Sequence, residues 1–316
     1  MVLRNVMLSV ILAMPLSQAF AAASVSDYPM QAEQVAENVY AVVTPAKDFP
    51  GAENKGWNSN SIFVVTKEGV LVFDTGSSET IGQALRNTIA GVTDQPVRWV
   101  INSHAHGDHW LGNGAFAGDG IEIISSQVAQ TRIQSEGQEW VERFKRMTDG
   151  ATGDSTVVAP NQGLREPLAR EFGGVRVEVL FAGHSHSPGD IVFWLPNERV
   201  LLTGDVMYTG RPPATFDADV QQWMQFLDGL EALDPAVVVP GHGPVGKKTD
   251  VALLRNYFEA LWTAVSEGYE EGLPDFEIAP RVKARMVSFE KDFPGIDERL
   301  GESVSHVYLQ VEQSAF

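Results

Sequence analysis

The chain has 316 residues, 44% of them hydrophobic, a formal net charge of −18 at pH 7 and no cysteine. That length buries one large core or two modest ones, and the charge repels nucleic-acid phosphates and anionic membrane surfaces. The absent thiols exclude disulfides, thiolate metal ligands and cysteine nucleophiles, so any bound metal must sit on nitrogen and oxygen.

Residues 1–23 read as a secretory leader: Arg4 supplies the positive start, 6–16 the apolar stretch, and Ala19-Phe20-Ala21 a small-x-small cleavage pattern. The apolar run is about half of the ~20 residues that span a bilayer. The mature chain is therefore expected to begin near Ala22 to Ser24 and to be exported to a periplasm, with one folded domain over 24–316. Short β-branched runs then predict strands at 39–43, 62–65 and 70–73, the last two joined by the turn Lys67-Glu68-Gly69 into a hairpin. A helix is expected over 78–90, a strand at 97–101 and a helix over 126–147, judged by apolar spacing of three and four. Residues 45–60 and 149–171 read as long loops; the second, rich in Gly, Pro and polar residues, is a loop or a lid. Strands follow at 175–181, 191–195, 200–202 and 237–239, with helices over 219–233 and 250–268 and a helical tail beyond about 268. Strands alternating with helices give an α/β architecture of mixed sheets covered by helices.

Six of the seven histidines fall in three short segments: His104, His106 and His109; His184 and His186; and His242. Imidazole is the commonest metal ligand near neutral pH, and a core histidine satisfied by its neighbours gives no reason for such clustering. In Asn102-Ser103-His104-Ala105-His106-Gly107-Asp108-His109 an extended backbone would put His104 and His106 on one side, and Gly107 would permit a sharp turn that aims Asp108 and His109 elsewhere. Each candidate follows an apolar strand, and loops at one end of rigid strands hold convergent side chains well.

The motifs His104-Ala-His106-Gly-Asp108-His109, His186-Ser-Pro-Gly-Asp190, Gly204-Asp205 and Pro240-Gly-His242-Gly, with Phe73-Asp74-Thr75-Gly76 before them, resemble those of the metallo-β-lactamase superfamily over most of residues 37–260. The stretches 102–116 and 237–245 look most like its SoxH and quinoprotein-relay branch. The resemblance implies a four-layer αβ/βα sandwich with two zinc ions at one edge, iron or manganese being the alternatives. By position, His104, His106 and His186 would bind the first ion, Asp108, His109 and His242 the second, and Asp205 would bridge them. Asp108 and Asp205 are thereby the catalytic candidates beside a hydroxide shared by the ions. N/O ligation suits Zn²⁺ independently.

The resemblance also sorts neighbouring residues. His184 and His186 lie two apart and either could face the metals; the family pattern selects His186 and leaves His184 outside the ligand set. Asp74 would orient the histidine loop or cap a turn, and Asp190 would support its turn. Arg211 reads as exposed or salt-bridged, the alternative being contact with a substrate carboxylate. Trp57 and Phe49 would cover an apolar substrate or pin their loop, Trp110 and Trp223 would be core, and His306 is incidental.

The function implied is a zinc-dependent hydrolase that uses the bridging hydroxide to cleave an ester, lactone, thioester or lactam of a small molecule, with no nucleic-acid or stable membrane partner. Asp205 points away from dedicated β-lactamases toward general hydrolases such as glyoxalase II or lactonases, weak lactam cleavage remaining the minor activity. An alternative from another class is an iron-dependent persulfide dioxygenase; its single ion would leave Asp108, His109 and His242 without a purpose.

Overall fold

A computed structural model describes residues 22–46, 49–118 and 120–315; all but the last two positions of the expected leader lie outside them. Seven strands form the first sheet, in the order β1 (Glu33–Ala36), β2 (Val39–Val42), β3 (Ser61–Val65), β4 (Val70–Phe73), β5 (Val97–Ile101), β6 (Glu122–Ser126) and β7 (Gln162–Leu164). Five form the second, in the order β12 (Val237–Val239), β11 (Val200–Leu202), β10 (Pro188–Leu195), β9 (Val175–His184) and β8 (Leu168–Phe172). The hairpin expected around residue 68 is present, pairing β3 antiparallel to β4 with Ile62 opposite Phe73. From β4 to β7 the pairing is parallel, as it is between β11 and β12.

Period-two alternation explains the layering. Along β4, Leu71 and Phe73 point between the sheets while Val70 and Val72 point outward, and along β10 Ile191, Phe193 and Leu195 oppose Val192 and Trp194. The outward face of the first sheet is covered by α1 (Glu79–Ala90), through Ile81, Ala84, Leu85 and Ile89. On the second sheet lie α4 (Val220–Ala232) and α5 (Lys248–Glu270), followed by α6 (Asp275–Met286) and α7 (Ile296–Ser314). The result is the expected αβ/βα sandwich. Helix starts follow their caps: Ser78, Ser126 and Asp219 each accept a backbone N–H from three residues onward, opening α1, α3 (Gln127–Met147) and α4. Among the described residues no helix is long and apolar enough to cross a membrane.

The stretch 149–171 is not a plain loop. It contains β7 and most of β8, short strands whose sequences, Gln-Gly-Leu and Leu-Ala-Arg-Glu-Phe, alternate too weakly to show in the pattern. Trp57, by contrast, is buried in the α1-side core and pins its loop.

Candidate metal centre

Loops at one edge of the sandwich carry the site. The chain leaves β4 at Asp74, β5 at His104, β11 at Asp205 and β12 at His242, while the β9–β10 turn supplies His186. The histidine segment reaches its geometry differently from the extended reading: residues 103–106 form a bend, after which α2 (Gly107–Trp110), a single helical turn, presents Asp108 and His109. Gly107 is needed there for room rather than for an unusual backbone angle, since a Cβ would meet Leu111, Phe144 and Trp140 at 3.0–3.1 Å. Gly241 is needed for a closer approach still; its Cβ would lie 2.0 Å from Asp205 Oδ1.

Seven side chains, all buried, converge: His104, His106, Asp108, His109, His186, Asp205 and His242. Three overlapping groups bring ligand atoms within 4.8 Å of one another: His104, His106 and His186; His104, His109 and Asp205; and Asp108, His109 and His242. Asp205 lies between the clusters, with Oδ1 3.1 Å from His109 Nε2 and Oδ2 3.1 Å from His242 Nε2 and 3.5 Å from His186 Nε2.

The outer nitrogen of every one of these imidazoles has an assigned partner. His109 Nδ1 donates to Asp74 Oδ2 at 2.8 Å, and His242 Nδ1 to the Asn58 carbonyl at 2.7 Å. His106 Nε2 donates to Asp217 Oδ2 at 3.1 Å, and His186 Nδ1 to the Ala214 carbonyl at 3.3 Å. Ser103 Oγ gives its proton to Asp74 at 2.8 Å, so it accepts from His104 Nδ1 at 2.9 Å. These bonds fix each tautomer and turn the remaining nitrogen inward as a lone pair. His106 Nδ1 and His186 Nε2 consequently face each other at 2.9 Å. Buried atoms with no hydrogen-bond partner include His104 Nε2, His109 Nε2 and Asp205 Oδ1, each an arrangement costing about 1–3 kcal/mol unless something fills it. Lone pairs aimed at lone pairs and carboxylates call for cations between them, and an N/O set of this kind suits zinc.

Burial holds the His104 imidazole well below its ordinary range and pushes His186 down to about 3, so both are neutral. His109 goes the other way: burial opposes its charge, but the carboxylates of Asp205, Asp108 and Asp74 hold it well above the ordinary range, the pull of a site that favours positive charge. Burial alone would lift Asp205, but His242 and His109 pull its carboxyl well below the usual value. The same opposition, with Asp217 desolvated but held by hydrogen bonds from His106 and Arg132, leaves that group at about 2. Asp205 further accepts the Tyr208 hydroxyl at 2.5 Å, and Asp108 Oδ2 accepts Asn58 Nδ2 at 3.0 Å.

His184 is outside the cluster: its Nε2 contacts the Asp217 carbonyl at 2.8 Å, bracing the residue that orients His106. Asp74 both orients histidines and ties the loop, accepting also the Ser103 backbone N–H at 2.8 Å. Asp190 holds its turn through Ser187 N and Oγ. The exposed reading of Arg211 is corrected: it is buried in the pocket wall, with Nη1 3.4 Å from His242 Nδ1. Because that nitrogen already gives its proton to Asn58, the contact is one of packing. Sequence reasoning did not single out Asn58, Tyr208 or Asp217. Their polar types in loops beside the motifs were the only signal, and which loop returns to the site depends on tertiary packing.

The sequence profile of the metallo-beta-lactamase superfamily matches residues 54–242. A type 2 metallo-beta-lactamase of Bacteroides fragilis is 25% identical over 221 residues, covering 67% of this chain and 79% of that protein. A linear primary-alkylsulfatase of a Pseudomonas species is 24% identical over 256 residues, 68% of this chain but 48% of the sulfatase. Among solved structures, a metallo-beta-lactamase from Pontibacter korlensis superposes with a TM-score of 0.59 at 21% identity, over 72% of this chain and 99% of its own. An inverting sec-alkylsulfatase from Pseudomonas gives 0.67 at 18% identity, over 89% and 50%.

Proposed function

The chain belongs to the metallo-beta-lactamase superfamily and is a metal-dependent hydrolase; from that premise we propose that it is a two-zinc enzyme cleaving an ester, lactone, thioester or lactam bond of a small molecule. The observation that carries this reading is the set of inward lone pairs, with the outer nitrogens of all five imidazoles already engaged. His104, His106 and His186 are assigned to one ion, Asp108, His109 and His242 to the other, and Asp205 to both.

When bound, the ions lower the pKa of a coordinated water and polarise the bond under attack. This chain's own residues set the geometry. Asp74, Asp217 and the carbonyls of Asn58 and Ala214 lock the imidazole planes. Asn58 fixes the direction of Asp108, and Tyr208 takes one lone pair of Asp205, leaving its other oxygen to face His109. The burial of all seven side chains excludes bulk water from the floor. Overall, one water adds across the carbonyl-to-heteroatom bond; the acyl carbon keeps the oxygen and the leaving atom takes a proton. Export to a periplasm through the leader at 1–23 belongs to the same proposal.

The test is elemental analysis with activity. Purified protein is expected to carry close to two metal ions per chain, mostly zinc, and chelation should abolish hydrolysis of a panel of lactones, thioesters, aryl esters and β-lactams until zinc is restored. Asp205→Ala should lower occupancy at both positions. A single iron with sulfur oxygenation, or full metal content and rate in Asp205→Ala, would overturn the assignment.

A further inference from the structure

Above the metal floor the pocket is lined on one side by Trp140 of α3 and by Phe216, from the loop that precedes α4. Both rings approach the floor: Trp140 lies 5.3 Å from the His106 ring and Phe216 5.0 Å, nearly parallel to it at 27°. Arg143 stands three residues after Trp140 on the same helix, the spacing that places side chains on one face. Its guanidinium sits 4.9 Å from the Trp140 ring centroid and 5.8 Å from that of Phe216, and it lines the same pocket. A guanidinium resting on aromatic faces is held in plane while its N–H edges stay open to a planar anion.

Its neighbours on the helix are spent differently. Arg132 pairs with Asp217 and Glu136, and Lys145 with Asp154. Arg143 makes no ion pair among the described residues. A chain of charge −18 repels an anion at long range, so an anionic group needs a local cation to offset that field, and Arg143 supplies one at the mouth. The aromatic wall next to it accepts an apolar body.

Resting on the hydrolytic reading above, we propose that the substrate is an anionic amphiphile. Its scissile bond lies over the histidine floor, its aromatic or alkyl body packs on Trp140 and Phe216, and a carboxylate distal to the scissile bond pairs with Arg143. Arg143 is then a specificity-determining residue that acts on binding.

Two measurements on the zinc-loaded full chain test this, one of them independent of hydrolysis. In calorimetry, phenylbutyrate should bind more tightly than phenylbutanol, and Arg143→Gln should shrink that preference by about fivefold or more, as loss of a charge-assisted contact requires. Raising the ionic strength should shrink it too. In kinetics, Arg143→Gln should raise KM for mono-para-nitrophenyl adipate about fivefold more than for its ω-methyl ester, and Arg143→Lys should restore part of the difference. If phenylbutyrate keeps its full preference in Arg143→Gln, its carboxylate sits on the metals, Arg143 merely covers Trp140, and the proposal is overturned. If both esters respond alike, it is overturned as well. Should the binding difference follow Arg143 while neither ester is cleaved, the anion subsite stands and the choice of hydrolysed bond is what fails.

Discussion

The floor of the pocket and its walls are built from different kinds of sequence. The floor comes from short loops directly after strands β4, β5, β11 and β12 and from the β9–β10 turn, so each polar residue is placed by the apolar run beside it. The walls come from the face of α3 and from the 209–219 loop, and distant elements steady them. From α7, Gln310 donates to the Ala218 carbonyl at 2.8 Å and accepts the Val220 N–H at 2.9 Å, while Ser303 accepts from Thr215 at 3.3 Å. The Arg299 guanidinium of α7 lies 3.6 Å from the ring centroid of Phe49, another residue of the pocket lining. Chemistry placed by adjacent strands is local in sequence; substrate shape placed by a helix some ninety residues away, as Gln310 is from Val220, is not.

Variants that break the floor should have the largest effects. His186→Ala leaves the first cluster with two histidines and Asp205, so zinc affinity should fall and hydrolysis drop by orders of magnitude, measured at fixed free zinc to prevent refilling. His184→Ala removes only the brace on the Asp217 carbonyl, one step further out than the partners that orient metal ligands, so its cost should not exceed the roughly 10–100-fold of those partners, with metal content near that of the wild type. An emptied first site in His184→Ala beside an occupied one in His186→Ala would reverse the two roles. The smallest effect belongs to the wall. Gln310→Leu leaves the Ala218 carbonyl and Val220 N–H without their partner, at a cost of about 1–3 kcal/mol in stability. It should move KM more than kcat by loosening the loop that carries Phe216. A drop in kcat as large as that of His184→Ala would show that α7 also holds the floor.

This contrast explains what was legible in the sequence. The strands at 62–65, 70–73, 97–101, 200–202 and 237–239 stand where short β-branched runs placed them, and the hairpin turn at Gly69 sets the register of the first two. The histidine clusters were legible from their grouping after apolar strands, but the set of seven, and the choice of His186 over His184, came from the family resemblance. Spacing alone left that choice open and misjudged the backbone of residues 103–106, which bend rather than extend. Asn58, Tyr208, Asp217, Trp140 and Arg143 were not legible, because nothing within a few residues of them indicates which face returns to the pocket. The tail gave the same partial signal. Ile296, Leu300, Val304, Val307 and Val311 repeat at helical spacing and are buried in α7, which reveals a helix but not the wall it supports. Arg211 misled for a related reason: an arginine in a Gly-Arg-Pro-Pro loop suggests a surface, yet the loop folds inward beside His242.

The central claim is that these seven side chains hold two ions with Asp205 between them. Anomalous diffraction from zinc-loaded crystals, recorded at the zinc absorption edge, tests it most directly. Two peaks are expected, one among His104, His106 and His186 and one among Asp108, His109 and His242, with the Asp205 carboxylate between them. A single peak, or a peak ligated by His184, would contradict the account.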